Sequence, residues 1–132
     1  MESADGSDAG PPLAPGIEAT QGFLVEGRLV TDVAGTLGFS VLSTPGMIGM
    51  MERTAAMLVH PLLREGEATV GFEVCVRHVA GAAVGSRCFA HVRLTEVLDG
   101  RKLRFSVEVV HEDGRTIGVG THERRVIRAR PD

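Results

Sequence analysis

From Asp32 to Glu52 the chain carries no charge in between, and from Ser43 to Pro61 it reads as one helix that is apolar almost all round. Thr44 is of a residue type preferred at an N-cap, and Pro45 suits the first helical position. Pro61 should stop the helix at or near His60. Glu52, Arg53 and Thr54 form its one polar band. A helix of this kind is enclosed by other structure rather than laid on a surface. It does not read as a membrane span, because the uncharged run holds four glycines and a proline.

Beyond the helix the chain reads as strand. Thr69 to Val79 alternate, which predicts Val70, Phe72, Val74, Val76 and His78 on one face. Val84 to Leu98 alternate with Cys88, Ala90, Val92 and Leu94 on one face, and Leu103, Phe105, Val107 and Val109 repeat the pattern. Ile117, Val119 and Ile127 belong to the last strand. The connections are Gly81–Gly85, Asp99-Gly100 and Asp113-Gly114, and the two Asp-Gly pairs are strong hairpin signals. An antiparallel meander of four long strands is expected, buried on one face. Before the helix, Val25 to Thr31 read as a first strand and Asp32 to Ser43 as a Gly-rich loop. Residues 1–20 read as a disordered tail and 21–130 as a single domain. A five-stranded antiparallel sheet wrapped around one central apolar helix is an α+β chain of the hotdog architecture.

Composition narrows the function. The 132 residues include no Trp or Tyr and five Phe, which argues against binding single strands by aromatic stacking. Net charge is −3, but it is split. Residues 1–86 hold four basic and ten acidic groups, and residues 87–132 hold ten basic and seven acidic. The second half suits an anionic small molecule and is too mixed in sign for a nucleic-acid footprint. Cys75 and Cys88 offer neither a metal spacing nor a disulfide framework. The N-terminus lacks the basic and apolar regions of a signal peptide. These features predict a cytoplasmic protein with no metal, no cofactor, and neither nucleic acid nor membrane as partner. There is no G-x-S-x-G elbow, P-loop, G-x-G-x-x-G helix start or H-E-x-x-H.

Three residues stand out. Glu52 is a carboxylate in a helix otherwise built for burial. It is either an edge residue paired with an Arg or a nucleophile or general base in a dry cleft. By strand parity His78 points at the same helix–sheet interface, where it is either a satisfied core histidine or a partner of Glu52. Thr44 caps the helix or lends its hydroxyl to a site beside the helix N-terminus, where backbone donors polarise a carbonyl. His122, Glu123, Arg124 and Arg125 read as a solvated or interface segment, with an Arg there available to phosphate. Met47, Met50, Met51 and Met57 read as helix packing, some of them walling an acyl pocket.

The runs Ser43-Thr44 with Gly49-Met50-Met51-Glu52, Val70-Gly71-Phe72-Glu73-Val74-Cys75-Val76-Arg77-His78, and Gly120-Thr121-His122-Glu123-Arg124 resemble the fluoroacetyl-CoA thioesterase family of hotdog proteins. The similarity spans about residues 22–128. It implies a catalytic Thr–Glu–His set at Thr44, Glu52 and His78. It also implies a glycine close to the bound acyl group at Gly71. Gly46, Met47 and Arg124 are further candidates for contact with the substrate. The implied activity is hydrolysis of an acyl-CoA thioester by a homodimer with its active sites at the subunit interface. The segment Asp32–Ser43 is shorter than the aromatic-containing lid of the fluoroacetyl-specific enzyme, and Phe39 is its one aromatic. A short-chain acyl-CoA is therefore expected rather than fluoroacetyl-CoA. The alternative is a non-catalytic hotdog protein that binds acyl-CoA or another hydrophobic ligand. A hydratase is disfavoured, because that branch uses an Asp followed five positions later by a His, and no Asp here has that partner.

Overall fold

A computed structural model describes residues 12–129. Strand β1 (Glu18–Leu24) is followed by the short pair β2 (Val30–Thr31) and β3 (Val41–Leu42), helix α1 (Thr44–Val59), and four long strands: β4 (Glu67–His78), β5 (Arg87–Leu98), β6 (Lys102–His111) and β7 (Thr116–Arg128). The main sheet is antiparallel in the order β1-β5-β6-β7-β4. Helix α1 packs on one face of it, the hotdog arrangement.

The alternation in β5 and β6 places side chains as expected. Cys88, Ala90, Val92, Leu94, Leu103, Phe105, Val107 and Val109 all face the helix and are buried. They meet Met47, Met50, Met51, Ala55 and Val59 of α1. Each large apolar side chain so buried contributes roughly 1.5–3 kcal/mol. Both Asp-Gly pairs turn hairpins. Asp99 and Gly100 adopt the left-handed conformation with φ of 57° and 65°, as a two-residue turn of this hand requires.

Several expectations need correction. The first strand is Glu18–Leu24, so it starts inside the stretch read as a tail. Its hydrogen bonds to β5 order it, and the adjoining Gly16 N–H donates to the Leu94 carbonyl (2.8 Å). Residues 1–11 of the expected tail lie outside the described residues. Val25–Thr31 is not a strand but a single 3-10 turn (Gly27–Leu29) leading into β2, because Gly27 sits at φ 58° and breaks the extended run. The four long strands are not one meander. β1 occupies the free side of β5, so β4 crosses to the far edge and pairs with β7. The Gly81–Gly85 connection is therefore a crossover, tied down where the Leu42 N–H donates to the Ala82 carbonyl (2.9 Å).

Parity also fails in β4 and β7. A β-bulge between Gly71 and Glu73 leaves Phe72 unpaired and flips every side chain before it. Val74, Val76 and His78 face the helix side as expected, but Val70 (44% exposed) and Phe72 (58% exposed) point outward, and Thr69 and Gly71 take the helix-facing positions. In β7 the helix-facing run is Gly118, Gly120, His122, Arg124 and Val126, while Val119 and Ile127 are exposed. A Cβ at Gly118 would run into Met47, so the helix can approach this strand because that position is glycine. Nor is α1 enclosed all round. Met47, Met50, Met51, Thr54 and Ala55 are buried, but on the other face Met57 is 61% exposed and Arg53 is exposed.

Candidate active site

The cap of α1 is Ser43, not Thr44. The Ser43 hydroxyl accepts the Gly46 N–H (2.9 Å) and its carbonyl accepts the Met47 N–H (2.9 Å). Thr44 and Pro45 then occupy the first helical positions, as proline favours. The Gly46 N–H, one of the donors expected to polarise a carbonyl, is thus already satisfied by the cap. Capping by Ser43 has also released Thr44. The Thr44 hydroxyl lies 2.9 Å from His78 Nδ1, at the last residue of β4. His78 Nε2 is buried and bonds to nothing among the described residues. A buried nitrogen without a partner is costly in a core. An imidazole held by one nitrogen, with the other free, is arranged to exchange a proton with a reacting group. The pair borders a shallow groove walled by Val41, Leu42, Val79, Ala80 and Gly81.

Glu52 lies two turns further along α1, about 12 Å by helix rise. Its carboxylate rests on the bare backbone of Gly71, where a Cβ would stand 2.5 Å from Glu52 Oε2. Arg124 lies directly across the sheet from Gly71. Its Nη1 is 3.8 Å from Glu52 Oε2 and would be 3.6 Å from that Cβ. The bulge makes this corner, because it turns Gly71 toward the helix while keeping His78 on the same face. Arg124 is itself held on three sides. Nε donates to the Thr69 hydroxyl (2.8 Å), Nη2 to the Thr69 carbonyl (3.0 Å), and Nη1 to His122 Nε2 (3.3 Å). Burial pulls its pKa down and the Glu52 carboxylate opposes that, so the group stays cationic.

His122, Glu123 and Arg124 are buried within the chain itself, where a solvated or interface segment was expected, with 3%, 5% and 7% exposure. His122 and Arg124 face the helix. Glu123 lies on the opposite face, gripped by Arg104 (3.0 Å) and Arg125 (2.6 Å), and those bonds lower its pKa. Arg125 also lies 3.5 Å over the Phe72 ring. Counting register outward from the Asp113-Gly114 turn places His122 beside Phe105, and that count is the signal which could have marked it as inward-facing.

The structure therefore joins Thr44 to His78 and Glu52 to Gly71 and Arg124, but it does not bring the two groups together within one chain. Gly46 and Met47 do not present surface to a substrate. Gly46 closes on the Leu29 carbonyl, where a Cβ would sit at 2.5 Å, and Met47 is fully buried. No group of His, Cys, Asp and Glu suited to a metal ion occurs among the described residues, and no helix there is long and apolar enough to cross a membrane.

Comparison with known proteins bears on this geometry. Residues 25–130 match the family model described as fluoroacetyl-CoA-specific thioesterase. The fluoroacetyl-CoA thioesterase of Streptantibioticus cattleyicolor is 37% identical over 87 residues, which are 66% of this chain and 61% of that protein. The match thus spans under two thirds of that relative. Among solved structures, a thioesterase superfamily member from Thermus thermophilus superposes with a TM-score of 0.80 at 29% identity, covering 89% of this chain and 86% of the other. A single-site variant of the fluoroacetyl-CoA-specific thioesterase, solved with fluoroacetate and CoA, gives 0.79 at 29% identity, covering 88% of this chain and 96% of the other.

Proposed function

Because the chain belongs to the fluoroacetyl-CoA-specific thioesterase family, we propose that it hydrolyses a short-chain acyl-CoA thioester, with Thr44, Glu52 and His78 as the reacting set. The observation that carries this reading is the Glu52 carboxylate. It is seated on Gly71 beside Arg124, in the middle of a strand whose last residue forms the Thr44–His78 pair.

The two groups lie roughly 20 Å apart along β4, from seven residues at about 3.3 Å each less the bulge. One thioester carbonyl cannot touch both. β4 is, however, an edge strand of the sheet. Antiparallel pairing with the β4 of a second copy, about a twofold axis through Cys75 and with Phe72 left out at the bulge, sets Gly71 of each copy opposite His78 of the other on the helix-facing side. Glu52 of one copy then meets Thr44 and His78 of its mate, and each homodimer holds two composite sites. The same pairing caps an exposed edge and covers Val70 and Phe72, which are otherwise open to solvent.

In this site Glu52 either attacks the thioester carbonyl carbon, forming an acyl anhydride that water then hydrolyses to free the carboxylate of Glu52, or takes a proton from the water that attacks that carbon directly. The carbon–sulfur bond breaks, the CoA thiolate leaves and is protonated, and the acyl group departs as a carboxylate. His78 Nε2 is the free nitrogen available to carry a proton, and Thr44 fixes its ring. Arg124 supplies positive charge beside the reacting carboxylate. The surplus of basic residues after residue 86 suits the CoA phosphates. The unpaired thiols of Cys75 and Cys88 fit a reducing cytoplasm.

The test is thiol release, followed with a thiol-trapping dye, over a panel of acyl-CoAs that includes acetyl- and fluoroacetyl-CoA. Turnover should be highest on short acyl groups, and Glu52→Ala should lower kcat by about a hundredfold or more. Thermal stabilisation by acyl-CoA with no thiol released from any of them would make the protein a binder instead.

A further inference from the structure

Beyond the reacting set, one buried titratable side chain in this corner has no task in the reaction above. His122 lies on the helix-facing side of β7, stacked on Phe105 with ring centroids 5.9 Å apart. Its Nδ1 is 2.8 Å from the Glu73 carbonyl, so that nitrogen carries the proton and donates. Its Nε2 is then an acceptor, and the group in reach is Arg124 Nη1 at 3.3 Å. Glu73 is the first paired residue after the bulge, and Gly71 the last before it. One imidazole thus ties the bulge to β7 and fixes the guanidinium that stands beside Glu52.

We propose that His122 is a positioning residue that, as a neutral Nδ1-protonated imidazole, holds Arg124 against Gly71 and Glu52. Three N–H groups of Arg124 have acceptors: two are taken by Thr69 and one by His122. The Thr69 bonds fix Nε and Nη2 and leave Nη1 to be set by Nε2 of His122. The second hydrogen of Nη1 is then free to serve Glu52 or a substrate oxygen. The arrangement requires a neutral ring, since a protonated Nε2 would set a donor against a donor and a cation against a cation. The surroundings keep it neutral. Burial first, and the Arg124 charge as well, push the imidazole pKa below its ordinary value, while the bond to the Glu73 carbonyl and the Glu52 carboxylate push the other way. As pH falls through that lowered pKa the ring charges and Arg124 loses its acceptor.

The role rests on the reading of this corner as a thioesterase site, so its test has two arms. In glutamine the side-chain amide reaches where Nε2 stands and its oxygen can accept from Arg124. In asparagine the amide reaches only where Nδ1 stands, keeping the Glu73 bond and losing the Arg124 bond. In the kinetic arm, His122→Gln should stay within about threefold of the parent in kcat, and His122→Asn should lose roughly tenfold or more, with the two variants melting at similar temperatures. In the second arm, 15N NMR reads the Arg124 guanidinium directly. Its rotation should be slow in the parent and in His122→Gln, and averaged in His122→Asn. A residue that only fills space against Phe105 would give equal losses in both variants and unchanged Arg124 signals, and that result overturns the proposal. A parent that hydrolyses no acyl-CoA would sink the thioesterase reading instead, while the NMR arm still decides whether His122 holds Arg124.

Discussion

At the scale of single residues, the most informative atom is one that is absent. Gly71 has no Cβ, and the Glu52 carboxylate occupies that space with Arg124 beside it. Its backbone is not left-handed, so alanine meets no conformational strain there. The obstacle is the far end of a flexible side chain, which can swing away. Gly71→Ala should therefore fold and melt within about 0.5 kcal/mol of the parent, as changes outside a packed core do. Hydrolysis should fall by about a hundredfold, because a carboxylate displaced by an ångström no longer meets its target. Stopped thiol release together with an unchanged melting curve is the expected result. A full-rate Gly71→Ala variant would mean that the seat of Glu52 has no part in catalysis.

At the scale of elements, two adjacent hydroxyls at the start of α1 divide the work. Ser43 caps the helix and Thr44 holds His78. Ser43→Ala should cost about 1 kcal/mol of stability and leave kcat in place. Thr44→Val should leave the melting temperature nearly unchanged and lower kcat, since His78 loses its tether. Circular dichroism melts paired with thiol release separate the two, and the reverse pattern would return the cap to Thr44. Helix α1 and most of strands β5 and β6 were legible in the chain because one rule governs each: a proline at either end of the helix, and alternation beside an Asp-Gly turn in the strands, which runs through Cys88–Leu94 before β5 shifts register at Thr95. β4 and β7 were not legible in the same way. The bulge at Phe72 adds one residue that alternation cannot register, and in β7 the helix-facing positions belong to Gly118, Gly120, His122 and Arg124 rather than to aliphatic residues. Glu52, His78 and Thr44 stood out because their polarity conflicts with their setting. His122 did not, because its burial depends on which strand lies beside it. The place of β1 was hidden for the same reason, since Glu18–Leu24 is extended only through its pairing with β5.

At the scale of the whole molecule, the proposed reaction divides its groups between the middle of edge strand β4, at Gly71, and its last residue, His78. Antiparallel pairing of that edge is the simplest operation that unites them. It makes two requirements of the molecule: a twofold dimer, and Glu52 acting in trans with Thr44 and His78. Mixing two dead variants tests both at once. Glu52→Ala and His78→Ala should each be inactive as homodimers. Unfolded together and refolded, half of the dimers formed at random carry one chain of each kind, and in these one site is intact and the other lacks both groups. The mixture should recover about a quarter of the parental rate of thiol release, against background for either variant alone. A mixture that forms mixed dimers yet stays at background would rule out action in trans and place Glu52 and His78 in the same chain's site.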